Sequence, residues 1–302
     1  MIKNSVPKNE NMNNEELQYI NLVKTIIEEG TYDDRRNDRS KSIFGASMYF
    51  NIENNKIPIL TTKQISWKTC LKELLWFISG KTDNSILQSQ NVKIWNGNAS
   101  KEFLNSQGLN NLKENDLGPI YGHQWRHFNA KYIDCKTDYT SEGIDQLQYI
   151  IDNLKDPVNR FSRRLVMSAW NPCQLREMAL PPCHILVQFN VSDGNKLSCA
   201  LYQRSADIGL GVPYNITSYC FLLHLISHHC GLEPHEFIYN LGNCHIYSQH
   251  IDCIKKQIDR EPYDFPTIRI INKYENINDY SIKDFEIDNY LFHTKINMEF
   301  VR

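Results

Sequence analysis

The chain has 302 residues, enough to bury a substantial core as one large domain or two small ones. Charged residues make up 23%, hydrophobic ones 41%, and the formal net charge is -2; nucleic-acid coats and membrane-surface proteins usually carry a basic excess that is missing here. An anionic ligand must therefore be met by a local cluster of arginines. The nine cysteines, odd in number and without a CxxC pair, read as reduced thiols of a cytoplasmic protein.

Residues 1–14 are rich in Asn and Lys and read as a disordered tail preceding a domain of residues 15–302. The tail lacks the apolar core of a signal peptide, and no apolar run is long enough to span a bilayer. Leu17, Ile20, Val23 and Ile27 recur at helical spacing, with Gly30 as the closing residue. Thr31 to Ser42 reads as a charged loop carrying Arg35, Arg36 and Arg39. A second helix is predicted from Ser66 to Ser79, closed by Gly80 and apolar enough around its circumference to be buried. Asn96 to Leu117 is polar and Asn-rich, and reads as a surface insertion. Ile144, Leu147, Ile150, Ile151 and Leu154 mark a third helix, ended by Asp156-Pro157.

The second half is strand-like at Arg164–Trp170, His184–Val191 and Lys196–Gln203, with turn residues at Ser192-Asp193-Gly194. A long helix from about Ile216 to Cys230 follows, then a strand at Glu236–Leu241 and a helix over Ile246–Ile258. There is no regular βαβ alternation, linker or repeat. One α+β domain is the economical reading.

A lone cysteine is ordinarily a small buried hydrophobe. Cys183 differs because Pro181 and Pro182 precede it; they stiffen the backbone and place the thiol at a rigid strand entrance. Downstream, LYQRSADIGLGVPYN sets Arg204, Ser205 and Asp207 before the glycine-bounded turn Gly209-Leu210-Gly211. In GNCHIY, alternation puts His245 and Tyr247 on one face of an extended segment. GPIYGHQWRHF gathers Arg126 and aromatic residues around Tyr121.

Together, LKELLWFISG, NVKIWN, GPIYGHQWRHF, SRRLVMSAWN, ALPPCH, LYQRSADIGLGVPYNITSY and LGNCHIY follow the order found in thymidylate synthases, and the resemblance runs from about Glu16 to Val301. It implies a mixed β-sheet flanked by helices. It also implies reductive methylation of dUMP to dTMP, with 5,10-methylenetetrahydrofolate supplying both carbon and hydride and no metal required. In that chemistry C5 of uracil is a poor nucleophile, and adding the thiolate of Cys183 to C6 activates it. A thiol with an ordinary pKa of about 8.5 needs nearby positive charge, for which Arg204 is the residue implied.

The resemblance assigns the dUMP phosphate to Arg204 and to one arginine of the charged loop, Arg35 being chosen over the alternatives Arg36 and Arg39, with Arg163 and Arg164 reaching from the partner subunit of a homodimer and Ser205 assisting. Asn215 reads the base, since its amide donates to O4 and accepts from N3–H. Gln203 and Asp207 hold the ring, while His245 and Tyr247 bind the deoxyribose 3′-hydroxyl. Glu73 relays protons with a pKa raised by desolvation, and Tyr121 assists removal of the C5 proton. The folate is expected near Trp95, flanked by Ile94, Asn98, Leu210, Gly211, Tyr214 and Val301, with Asp207 on its pterin and Lys63 on its glutamate tail. No nucleic acid or membrane partner is implied.

The chain departs from the family pattern at Arg36-Asn37-Asp38-Arg39-Ser40, at Asn243, where Asp is usual, and at its end, Met298-Glu299-Phe300-Val301-Arg302. These departures leave room for a catalytically silent nucleotide-binding homologue. The retained Cys183, Glu73, Tyr121 and Asn215 weigh against that reading. A pyrimidine hydroxymethylase would place Asp at position 215. A metal protein is suggested by His224 and His228, four apart on one helix, but without the glutamate of an HExxH motif.

Overall fold

The computed structural model describes residues 13–34 and 39–299. In chain order its helices and strands are α1 (Asn14–Glu29), β1 (Thr31–Asp33), β2 (Ser40–Asn51), α2 (Trp67–Ile78), α3 (Asn84–Ser89), α4 (Asn96–Ala99), α5 (Lys101–Ser106), α6 (Tyr121–Arg126), α7 (Gln146–Lys155), β3 (Val166–Ser168), β4 (His184–Ser192), β5 (Lys196–Asp207), α8 (Gly211–Cys230), β6 (Glu233–Tyr247), α9 (Ile251–Ile258), β7 (Thr267–Ile270) and β8 (Phe285–Asp288).

One sheet runs in the order β1-β2-β6-β5-β4-β3, and β7 and β8 form a separate hairpin. Every pairing in the larger sheet is antiparallel except β5 with β6, which α8 connects in parallel. The sheet is therefore mixed, and the chain is α+β. Phe189, Leu201, Phe237, Tyr239 and Phe50 on one face are fully buried under α8 and α1. The opposite face carries Leu186 and Tyr202, which are register partners and 38% and 39% exposed.

Both helix caps near the site can be explained locally. The Asn13 side chain accepts the Glu16 amide, so α1 starts inside the stretch expected to be tail. α2 begins after Ser66, ends at Ser79, and hands over to Gly80 at φ +73. Leu71, Leu74, Phe77 and Ile78 on α2 are buried, each side chain contributing roughly 1.5–3 kcal/mol. Gly30 closes α1 in extended geometry (φ -63, ψ 150). Glycine is required there because a Cβ would lie 2.5 Å from the Ile26 carbonyl oxygen.

Several expectations are corrected. Both ends of the expected charged loop after Gly30 are strand, β1 pairing antiparallel with β2 so that Thr31 stands opposite Ser42. β2 continues to Asn51 through Gly45, which sits at φ +87. The Asn96–Leu117 stretch is not a surface insertion, since Ala99, Leu104, Leu109, Leu112 and Leu117 are all buried. β6 runs unbroken through Gly242, where a Cβ would meet the Arg204 carbonyl at 2.7 Å. α8 starts at Gly211 rather than Ile216. Asp207 Oδ1 accepts the Gly209 and Leu210 amides ahead of it, and Pro213 falls in the first turn, where no N–H is needed.

Candidate active site

Cys183 lies directly before β4, and its backbone N–H donates to the hydroxyl of Tyr121 at 2.7 Å. Tyr121 opens α6, and its ring stacks on His184 at 4.1 Å between centroids and 18° between planes. His184 Nδ1 lies 2.9 Å from the Tyr219 hydroxyl, and burial pushes the imidazole down to about 3. A neutral histidine therefore backs the thiol's segment. The sequence reading treated His184 as a strand residue; its position directly after Cys183 was the available signal.

Arg204 holds the same segment from β5. Its Nε donates to the Pro182 carbonyl at 2.7 Å and its Nη2 to the Pro181 carbonyl at 2.8 Å. Its guanidinium carbon stands 5.4 Å from the Trp170 ring centroid. Strand alternation puts Gln203, Ser205 and Asp207 on one face and Arg204 on the other. The stiffness expected of Pro181-Pro182-Cys183 thus comes from the prolines and from a cation clasping their carbonyls.

On the helix-covered face, Gln203, Ser205 and Asp207 stand in register with Leu241, Asn243 and His245 of β6. His245 Nδ1 lies 3.0 Å from Asn243 Oδ1, and the His245 and Tyr247 rings are 5.1 Å apart. The position at which the chain departs from the family pattern therefore supports His245. Asn215 comes over this face from α8, its Oδ1 accepting Gln203 Nε2 at 3.2 Å. Gln203 is fixed in turn, because Tyr239 donates to its Oε1 while its Nε2 also donates to the Ser205 carbonyl. This chain of donors presents the Asn215 Nδ2 away from Gln203.

Glu73 is half-buried on α2 and accepts Trp95 Nε1–H at 2.7 Å. Desolvation raises its pKa to about 7, with the Trp95 hydrogen bond pulling the other way. Trp95 is buried against Trp76 and Tyr121, at 6.4 and 6.3 Å between centroids. Ile94, Asn98, Leu210, Gly211 and Tyr214 are partly exposed.

Lys63 is the residue expected at a folate tail. It is 4% exposed, and its ammonium donates to the Gly209 carbonyl, so it is engaged in the interior. Arg163 and Arg164 are exposed just before β3, the strand that pairs with β4 at the end of the sheet. Arg35 and Val301 lie outside the described residues. Arg39, the alternative for the phosphate, is paired with Asp34 at 2.9 Å and stacks on Tyr32. His224 and His228 turn to separate carbonyls, those of Lys56 and Asn272. Among the described residues no group of His, Cys, Asp or Glu is arranged to hold a metal, and no helix is long and apolar enough to cross a membrane.

The family model described as thymidylate synthase matches residues 17–302. The chain belongs to the thymidylate synthase family. It is 49% identical over 285 residues to a thymidylate synthase of Homo sapiens, covering 94% of this chain and 90% of that one. Against a thymidylate synthase of Saccharomyces cerevisiae the identity is 47% over 297 residues, with coverage of 95% and 97%. A bifunctional dihydrofolate reductase-thymidylate synthase of Paramecium tetraurelia is 48% identical over 286 residues; the match takes in 94% of this chain but spans 61% of that protein.

Proposed function

We propose that this chain is a thymidylate synthase that converts dUMP to dTMP with 5,10-methylenetetrahydrofolate and releases dihydrofolate. The observation that carries the reading is the bond from the Cys183 amide to the Tyr121 hydroxyl at 2.7 Å. It joins the nucleophile's backbone to the residue assigned to the C5 proton. The Cys183 thiolate adds to C6, C5 takes up the folate's one-carbon unit, and Tyr121 handles the C5 proton. Glu73, poised near neutrality, moves protons through water. Asn215, its amide oriented by Gln203, reads O4 and N3–H. The folate donates the carbon and the hydride.

The same reading makes the enzyme a homodimer working in the cytoplasm. The exposed sheet face bearing Leu186 and Tyr202 supports a self-complementary contact, and exposed Arg163 and Arg164 are free to complete the partner's phosphate site together with Arg35, Arg204 and Ser205. Ile94, Trp95, Asn98, Asp207, Leu210, Gly211, Tyr214 and Val301 form the folate side, and His245 with Tyr247 the ribose side.

Dihydrofolate formation from dUMP and methylenetetrahydrofolate, followed by absorbance, tests the activity. Cys183→Ala is expected to abolish it while leaving dUMP affinity within about threefold, since the phosphate and base contacts remain. Turnover above background in that variant removes Cys183 from the mechanism.

A further inference from the structure

Arg204 is tied down along one edge only. Its Nε and Nη2 donate to the carbonyls of Pro182 and Pro181 at 2.7 and 2.8 Å. Two bonds along one edge of a planar group act as a hinge. They fix where the guanidinium sits and leave its plane free to swing about the line joining the two carbonyls. An arginine has five N–H donors in a rigid fork, and those off the hinge, on Nη1 and the outer side of Nη2, point wherever the tilt sends them.

The tilt is set by Trp170. This half-buried indole meets the guanidinium on its face, with Cζ 5.4 Å from the ring centroid. The ring attracts a cation through its quadrupole, and Trp does so better than Tyr or Phe. Its backbone is held on both sides. The Ala169 amide donates to the Ile185 carbonyl at 2.9 Å, which carries the β3–β4 pairing on toward Cys183. The Trp170 amide donates to Ser168 Oγ at 3.1 Å, and buried Asn171 donates from Nδ2 to Gln174 Oε1 at 2.9 Å. The ring is thus a fixed wall for the cation.

We propose that Trp170 is a positioning residue for Arg204: by fixing the tilt of the guanidinium, it aims the outer fork of Nη1 and Nη2 at the dUMP phosphate. The inference rests on the reading of the chain as a thymidylate synthase, in which Arg204 meets that phosphate. A fork binds phosphate oxygens through parallel, directional bonds. A guanidinium that keeps its hinge but loses its wall therefore binds phosphate less well, while the contacts to base and sugar stay as they are.

The test measures binding of dUMP and of deoxyuridine, which lacks the phosphate, to the full chain by calorimetry. Wild type that binds neither overturns the proposed function and this inference with it. In Trp170→Leu the Kd for dUMP should rise about fivefold, the size of one cation–π contact, and the Kd for deoxyuridine should change less than about twofold. Trp170→Phe keeps an aromatic face and should recover most of the dUMP affinity. In turnover, Trp170→Leu should raise the KM for dUMP and leave kcat within about threefold. Equal weakening of both ligands overturns the proposal in favour of a general distortion of the site. An unmoved dUMP affinity, or a Phe variant no better than Leu, overturns it as well. Trp170→Met, apolar and without a π face, is judged by the same comparison if the Leu variant does not accumulate folded.

Discussion

Glu73 shows how one side chain is tuned by two neighbours with opposite effects. Desolvation on α2 raises its pKa to about 7, and the Trp95 N–H restrains the rise. A carboxyl raised in the folded state binds more protons folded than unfolded between about pH 4.5 and 7, so its contribution to stability falls as pH rises through that window. The shift corresponds to at most about 3 kcal/mol. Glu73→Gln keeps an acceptor for Trp95 and removes the titration. Its stability relative to wild type should therefore grow between pH 5 and pH 8, read from urea midpoints, while kcat falls. A constant difference across that range would mean Glu73 ionises as an ordinary surface glutamate. The position of Glu73 was legible from the apolar helix around it. The Trp95 bond was not, because it joins residues from separate segments.

At the scale of elements, glycines decide where the site's helices start. Gly118 sits at φ +72, and a Cβ there would lie 2.1 Å from the Glu177 carbonyl oxygen. Gly108 has a similar φ of +78 and nothing within 4 Å of its would-be Cβ. Gly108→Ala should cost only the left-handed strain, about 1–2 kcal/mol. Gly118→Ala must also push the Glu177 backbone away, so it should cost at least about 2 kcal/mol more and shift α6 with Tyr121. Urea unfolding of the two variants beside wild type checks the ordering, and equal costs would show that the backbone near Glu177 yields easily. The helices and strands with clean periodicity were readable in the chain itself. The start of β2 was read as part of a charged loop, because Thr31 to Ser42 lacks a clean alternation of apolar residues.

For the whole molecule, the proposed homodimer, with Arg163 and Arg164 reaching the partner's site, makes a prediction of its own. Consider a Cys183→Ala chain and a chain carrying both Arg163→Ala and Arg164→Ala. Each should be nearly inactive as a homodimer. In a heterodimer the Cys183-deficient subunit lends its arginines to the partner's intact cysteine, and the reciprocal site has both defects. Activity per heterodimer should then approach half that of wild type after subunit exchange. No recovery in verified heterodimers would leave these arginines serving their own subunit or none.

Residue pattern by itself determined the α+β class and the main helices, because period and capping are local properties of a chain, and motif order gave the thymidylate synthase family. Through that resemblance PPCH, GPIYGHQWRHF and LYQRSADIGLGVPYN offer Cys183, Tyr121, Arg204 and Asn215 as the candidate chemical groups. Tertiary structure alone decided what those groups touch. Arg204 clasps the Pro181 and Pro182 carbonyls, and His184 stacks on Tyr121. Lys63 donates to the Gly209 carbonyl. Each of these contacts joins segments far apart in sequence. Long-range packing and burial set them, and no local pattern of residues encodes which carbonyl a buried cation will meet.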